Sequence, residues 1–313
     1  MKKPTAPGRP PDATQLARAR AFRAMHEPPA LVLPNAWDAA SARLIEAVGA
    51  EAVATTSAGI AWSLGYPDGD HLPRAAAIDA VKRIVAAVQV PVSADIEGGY
   101  ADDLDELATT VRAVIAAGVV GINIEDRGSD GLRSIAEQGQ RIAQVRKTAN
   151  ENHIPLFINA RTDTFLASVD TDLDARIGET VRRAEAYASA GADGVFVPGV
   201  IDPATVQHLA DRVPVPLNIQ ANAAAPRVAA LVECGVRRIS LGAGLAQAAS
   251  SLIAHAAEEV LMEGTYGLLQ DAMPASDLNM LSQPPSVNAD SRRSTRALTA
   301  TRRVSREPPP SGP

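Results

Sequence analysis

Short runs of apolar, often β-branched residues recur along the chain, and each is followed by a longer stretch with the i, i+3, i+4 spacing of an amphipathic helix. The strand candidates are 31–36 (LVLPNA), 52–56 (AVATT), 91–97 (PVSADIE), 121–126 (GINIED), 156–161 (LFINAR), 194–198 (GVFVP), 216–220 (PLNIQ) and 237–242 (RRISLG). Helices are expected near 38–48, 73–88, 103–117, 134–151, 173–190, 203–212, 226–234 and 244–263, several of them opened by a capping residue or a proline. In "EAVGAEAV", "IAAGVVGI", "ASAGADGV" and "VECGVRRI" a glycine stands between helix and next strand, where a helix C-terminus favours it. Eight alternations of strand and helix predict parallel strands with crossover helices, and eight closes a barrel. The expected fold is therefore an α/β (β/α)8 TIM barrel over residues 15–273. An open, doubly wound sheet is the alternative, but no Gly-rich dinucleotide fingerprint follows the first strand.

The ends depart from this pattern. Residues 1–14 are rich in proline and read as a disordered tail, and 274–313 mix Pro, Ser and Arg without apolar periodicity and read as a second one. Arg292, Arg293, Arg296, Arg302, Arg303 and Arg306 make that second tail basic, which fits a solvated segment or an acidic partner.

Composition narrows the class. With 313 residues, 46% of them hydrophobic, there is material for one large core, and 3% aromatics suits a helix-rich α/β protein. A formal net charge of −6 argues against nucleic-acid binding. Cys234 stands alone, which excludes an intrachain disulfide or a cysteine cluster and fits a cytoplasmic location. No run of about 18 apolar residues predicts a membrane span, and the start lacks the apolar core of a signal peptide.

In such barrels the chemistry sits at the C-terminal ends of the strands. There the sequence places Asp95 and Glu97, then Glu125 and Asp126, then Arg161 and Asp163, with Asn218 and Gln220 in strand seven. Residues two apart share a strand face, so Ser93, Asp95 and Glu97 are expected to point together, with Glu125 joining them from the next strand. Carboxylates so gathered repel one another unless a cation lies between them. An all-oxygen set suits Mg2+ or Mn2+, and none of His26, His71, His153, His208 or His255 stands where a zinc site would need it. Arg161 is expected to point inward, to grip a substrate carboxylate or to bridge Glu125 or Asp163. The small residues of "TTSAGIAWSLGYPDGD" leave backbone N–H groups free for an anion.

Taken in order over about residues 22 to 265, these motifs resemble the isocitrate lyase and phosphoenolpyruvate mutase superfamily. "NAWDAASARLIEAVGAEAVATTSAG" is similar to its first βαβ unit and "SLGYPD" to a turn carrying an active-site Asp, here Asp68. "SADIEGGYAD" resembles its D-x-D-x-G-[YF]-G metal motif, "NIED" its second acidic motif and "NARTD" the segment with its substrate-gripping Arg. The resemblance implies Mg2+ held mainly through Asp95, with Glu97, Glu125 and Asp68 supporting it, often through water. It implies a 2-oxo acid or its enolate as ligand, with the backbone groups of Thr56, Ser57 and Ala58 and the side chain of Arg161 holding the carboxylate; Asn218, from its place in strand seven, is a further candidate for binding the substrate. It also implies a homotetramer that exchanges the last barrel helix, 244–263.

Three departures refine the expectation. Glu97 stands where the motif has Asp. The loop after strand four reads "DRGSDGLRS", without the K-[KR]-C-G-H segment of isocitrate and methylisocitrate lyases or the Lys and Asn of phosphonate-forming mutases. Strand six ends in Pro198. Cys234, in a helix, reads as a packing residue, and the proton donor is left to Tyr100, Tyr66 or His71, with Arg133 neutralising a leaving carboxylate. The expected activity is a Mg2+-dependent C–C lyase, hydrolase or decarboxylase for a small 2-oxo or 2-hydroxy carboxylate. The alternatives are a phosphonate-forming phosphomutase and a catalytically weak oxo-acid sensor.

Overall fold

The computed structural model of the chain describes residues 11–128, 130–167 and 172–283. The arginines of the C-terminal tail and residues 1–10 lie outside them. The chain opens with helix α1 (Ala13–Ala24), then strands β1 (Leu31–Leu33) and β2 (Asn35–Ala36), helix α2 (Ala39–Ala47), β3 (Val53–Thr55), α3 (Ser57–Ser63), α4 (Arg74–Ala87), β4 (Val92–Asp95) and α5 (Leu104–Ala116). Next come β5 (Gly121–Glu125), the short strands β6 (Arg127–Gly128) and β7 (Gly131–Leu132), α6 (Ile135–Glu151), β8 (Phe157–Arg161), α7 (Leu173–Ser189), β9 (Gly194–Val197) and α8 (Pro203–Ala210). The last part is β10 (Leu217–Gln220), α9 (Val228–Glu233), β11 (Arg238–Ser240), α10 (Gly244–Met262), a 3-10 turn over Gly267–Leu269 and α11 (Ala275–Leu281).

The main sheet runs β1-β11-β10-β9-β8-β5-β4-β3-β2, all parallel. Because β1 and β2 are one extended segment interrupted at Pro34, which has no N–H to give a ladder, the sheet closes on itself. The fold is a (β/α)8 barrel. Its helices are anchored by the signals read in the sequence. Asp38, Asp103, Ser134, Asp172 and Asp202 accept from first-turn N–H groups, and Gly118 and Gly191 leave α5 and α7 with φ of +97° and +107°, the left-handed geometry glycine adopts without strain.

The strands alternate strictly. Ile122, Ile124, Ile158, Ala160, Ile219 and Ile239 are buried under the helices, while Ser93, Asn123, Asn159, Asn218 and Arg238 hydrogen-bond to one another across the barrel interior. The N-terminal end is plugged by α1. Its Phe22 packs edge-on against Phe157 at 5.8 Å, and His26 stacks on the same ring at 3.7 Å. A methyl group on Gly121 would come within 2.6 Å of Phe22, so the plug needs a residue without a side chain there.

Two boundaries differ from the sequence reading. The N-terminal tail ends sooner than residue 14, because Asp12 caps α1 by accepting from the Gln15 N–H at 2.8 Å. Helix α1 itself is not legible in the pattern, since only Ala19 and Phe22 of it are buried. Within the stretch read as a second tail, Ala275–Leu281 is helical; it docks near α2, where Arg43 donates to the Leu281 carbonyl at 2.6 Å. Helix α10 buries only Ala246 against its own chain and leaves Leu252, Ile253, Leu261 and Met262 exposed. Among the described residues no helix is long and apolar enough to cross a membrane.

Candidate active site

The C-terminal mouth of the barrel gathers the acidic residues. Asp95, last residue of β4, is half-buried, and its Oδ2 accepts from the Ser57 hydroxyl at 2.8 Å and the Ser57 N–H at 3.4 Å. Its own N–H donates to Thr55 Oγ1 at 2.9 Å. Oδ1 accepts from no described residue, which leaves one carboxylate oxygen of this half-buried group without a protein donor. Thr56, read as the end of the second strand, is the N-cap of α3, and Ser57 and Ala58, read as following that strand, form its first turn. Their small side chains let this turn pack against Asp95, and the first-turn N–H groups have no helical partner.

Glu97 does not extend the strand. Its φ of +50° breaks the alternation, so it is not aligned with Asp95 by the pleat as the sequence suggested. The turn instead brings its carboxylate back over the mouth, where it accepts from the Asp70 N–H and from the Tyr100 hydroxyl at 3.2 Å. Burial, with Asp95 adding to it, pushes Glu97 up to about 7. Tyr100 is pushed well above its ordinary value by burial and by Glu97, which makes it a held hydrogen-bond donor and a poor acid. Asp68, on the rim, is raised by burial and by the charge of Asp95.

Glu125 ends β5 beside Arg161 at the end of β8, its register partner. Arg161 Nη1 meets Glu125 Oε2 at 2.9 Å, while Nε and Nη2 hold Asp163 at 2.6 and 2.9 Å. Both bridges expected of Arg161 are therefore present at once. One guanidinium shared by two buried carboxylates does not neutralise both. Burial and the neighbouring acids outweigh Arg161 and push Glu125 up to about 8, whereas Arg161, although burial opposes its charge, is held even more firmly protonated by Glu125 and Asp163.

Asp95, Glu97 and Glu125 are thus not drawn into the three-carboxylate ligand set read from the sequence, and among the described residues no three acidic, His or Cys side chains group to hold an ion alone. The reason is that Glu97 and Glu125 are already engaged by Asp70, Tyr100 and Arg161. What remains is one open carboxylate oxygen on Asp95, ringed by further acids. That suits a hard cation which keeps most of its waters and takes one or two protein carboxylates, the habit of Mg2+.

After β5, strands β6 and β7 pair antiparallel, Arg127 with Leu132 and Gly128 with Gly131. Arg133, just beyond β7, has its N–H on the Asp126 carbonyl at 2.8 Å and its guanidinium on the Arg127 carbonyl and on Glu137, at 3.3 Å from the latter. It leans over Gly98 toward Asp70. A Cβ at Gly98 would lie 3.2 Å from Asp70 Oδ2 and 3.3 Å from Arg133 Nη2, so this glycine makes room for the pair.

Asn218 is not at the mouth. Its amide is buried in the barrel, accepting from Asn159 at 2.9 Å and donating to Ser240 Oγ at 3.2 Å. Asp70, overlooked in the sequence, and Asp126, read there only as one of the acids at the strand ends, both matter here. Asp70 reaches Glu97 with φ of +59°, a conformation for which the Pro-Asp-Gly turn before it was the only signal. Asp126 is fully buried and accepts from the Asp163 N–H at 3.0 Å, Arg183 at 3.0 Å and the Tyr187 hydroxyl at 2.8 Å, tying the Arg161 clamp to α7.

The profile of the phosphoenolpyruvate phosphomutase family matches residues 22–261. An uncharacterized protein of Mycobacterium tuberculosis is 38% identical over 235 residues, 75% of this chain and 86% of the relative. The 2-methylisocitrate lyase of Bacillus subtilis is 31% identical over 202 residues, 62% of this chain and 63% of that enzyme. A solved structure from Burkholderia cenocepacia J2315 superposes with a TM-score of 0.80 at 36% identity, covering 88% of this chain and 99% of that one. Barrel, mouth and sequence agree: the chain belongs to the phosphoenolpyruvate phosphomutase family, within the isocitrate lyase and phosphoenolpyruvate mutase superfamily.

Proposed function

We propose that the chain is a carbon–carbon lyase or decarboxylase for a small 2-oxo or 2-hydroxy carboxylate, working with Mg2+ or Mn2+ as a cytoplasmic homotetramer. The observation that carries this is the pairing of an open Asp95 oxygen with a fixed, permanently charged Arg161 at the same barrel mouth. The bridges to Glu125 and Asp163 use one N–H on each terminal nitrogen of Arg161, leaving one on each for a substrate carboxylate. When bound at Asp95, the cation supplies Lewis-acid stabilisation of the negative charge that builds on the substrate's oxygens as the bond at C3 breaks. Ser57 holds Asp95 in place for that task. Glu97, Glu125 and Asp68 orient the surrounding water, and Arg133 neutralises a departing carboxylate from its place just beyond β7.

The sequence after β5 supports a lyase unlike the 2-methylisocitrate type, because no Cys, Lys or His stands between Glu125 and Ser134. The test is product release over a panel of 2-oxo and 2-hydroxy di- and tricarboxylates with Mg2+, and again with excess EDTA. Metal-dependent release of pyruvate, glyoxylate, oxalate or carbon dioxide supports the reading. Conversion of phosphoenolpyruvate to phosphonopyruvate without any lyase turnover would make the chain a phosphomutase, and metal-dependent oxalate binding without turnover would make it a sensor.

A further inference from the structure

Arg238, at the start of β11, is 1% exposed in the barrel interior, and its guanidinium meets no carboxylate within 4 Å among the described residues. Its Nη2 donates to Ser93 Oγ at 3.3 Å and to Asn123 Oδ1 at 3.1 Å. Its face lies 5.8 Å from the Phe22 ring of the plug, and Nε and Nη1 donate to no described residue. Arginine is almost never fully buried without an ionic partner, because removing its charge from water costs several kcal/mol. Burial lowers its proton affinity only to about 9, so it stays cationic at neutral pH, and Asp95 is the one charge that favours it.

The surroundings say where that charge acts. Asn123 is the register partner of Asp95, and its Oδ1 also accepts from Asn159, whose amide reaches Asn218. Arg238 thus lies at the base of a neutral polar layer whose upper neighbour is Asp95, along a barrel walled by apolar helices. A low-dielectric wall carries such a field a long way.

We propose that Arg238 is a buried counter-charge beneath the mouth of the barrel, one that strengthens the binding of anionic carboxylate ligands there and weakens the binding of a cation alone. This rests on the reading of the mouth as a cation and carboxylate site.

The sign of the effect makes it testable apart from any loss of structure. Calorimetry on wild type, Arg238→Met and Arg238→Lys would measure Mg2+ alone and then oxalate at saturating Mg2+, with thermal melts as a check on folding. Arg238→Met is expected to bind oxalate about tenfold more weakly and Mg2+ several-fold more tightly, while Arg238→Lys stays close to wild type on both. Should Arg238→Met not fold, Arg238→Gln removes the charge, keeps an N–H donor and carries the same two expectations. Affinities that fall together, or that both stay within twofold of wild type, would overturn the inference and leave the functional reading intact. Wild-type protein that binds neither ligand would overturn that reading and this inference with it.

Discussion

Arg161 and Asp163 stand two residues apart and face each other through two parallel bonds, Nε to Oδ1 at 2.6 Å and Nη2 to Oδ2 at 2.9 Å. Such a fork fixes the guanidinium plane as well as its position. Replacing Asp163 by Asn keeps the shape but removes the charge and one acceptor. Oxalate affinity in the presence of Mg2+ is expected to fall about tenfold, read by calorimetry, with Mg2+ affinity changed less. Unchanged oxalate affinity would mean that the orientation of Arg161 plays no part in ligand binding.

The plug at the barrel floor gives a stability prediction. Phe22 is fully buried between Gly121, Phe157 and His26, so Phe22→Ala leaves a cavity with little chance of collapse. Chemical unfolding is expected to show a loss of about 3–5 kcal/mol. A loss below about 1 kcal/mol would mean that α1 contributes little to the barrel.

His26 gives the same floor a pH dependence. Burial, reinforced by the charge of Arg238, lowers it from 6.5 to about 3 in the folded protein, with Nδ1–H donating to the Phe22 carbonyl at 2.8 Å. The unfolded chain binds the proton first. Its contribution to stability is complete above about pH 6.5 and is lost as the pH falls toward 3. Between pH 7.5 and 5 wild type is expected to lose about 2 kcal/mol more than His26→Gln in urea unfolding, a comparison in which the other titrating groups cancel. Equal slopes for the two proteins would place His26 in water.

The exposed apolar row of α10 bears on assembly. Ile253, Leu261 and Met262 are 70%, 82% and 80% exposed, apolar side chains that a neighbouring subunit would remove from water. If the helix is exchanged within a tetramer, Ile253→Glu with Leu261→Glu is expected to lower the mass in light scattering to that of a smaller species. A wild-type protein that is already monomeric would contradict the tetramer.

The barrel is legible because helices such as α5 and α7 bury a wide apolar stripe and the strands alternate, so that periodicity reports burial there, while α9 and α10, which bury only Leu231 and Ala246, are placed by the strands on either side of them. Helix α1 fails that test because two inward residues suffice to anchor it, and α3 because a seven-residue turn of small side chains carries no period. At the site, Asp95, Glu125 and Arg161 are readable since all end strands in known register. Glu97 and Asp70 are not, because both lie at positive φ, where neither strand nor helix spacing assigns a direction. Asn218 misleads for another reason: a polar residue two before a strand's end lies a layer deeper than the mouth, and sequence position alone does not measure depth in a barrel.

The central claim is that Asp95 holds a cation through which the mouth takes a carboxylate. Oxalate titrated by calorimetry into wild type and Asp95→Ala, each with Mg2+ and with EDTA, tests it most directly. The account predicts binding by wild type with Mg2+ and its loss, by at least about a hundredfold, either with EDTA or in Asp95→Ala. Oxalate binding of equal strength in all four titrations would contradict it.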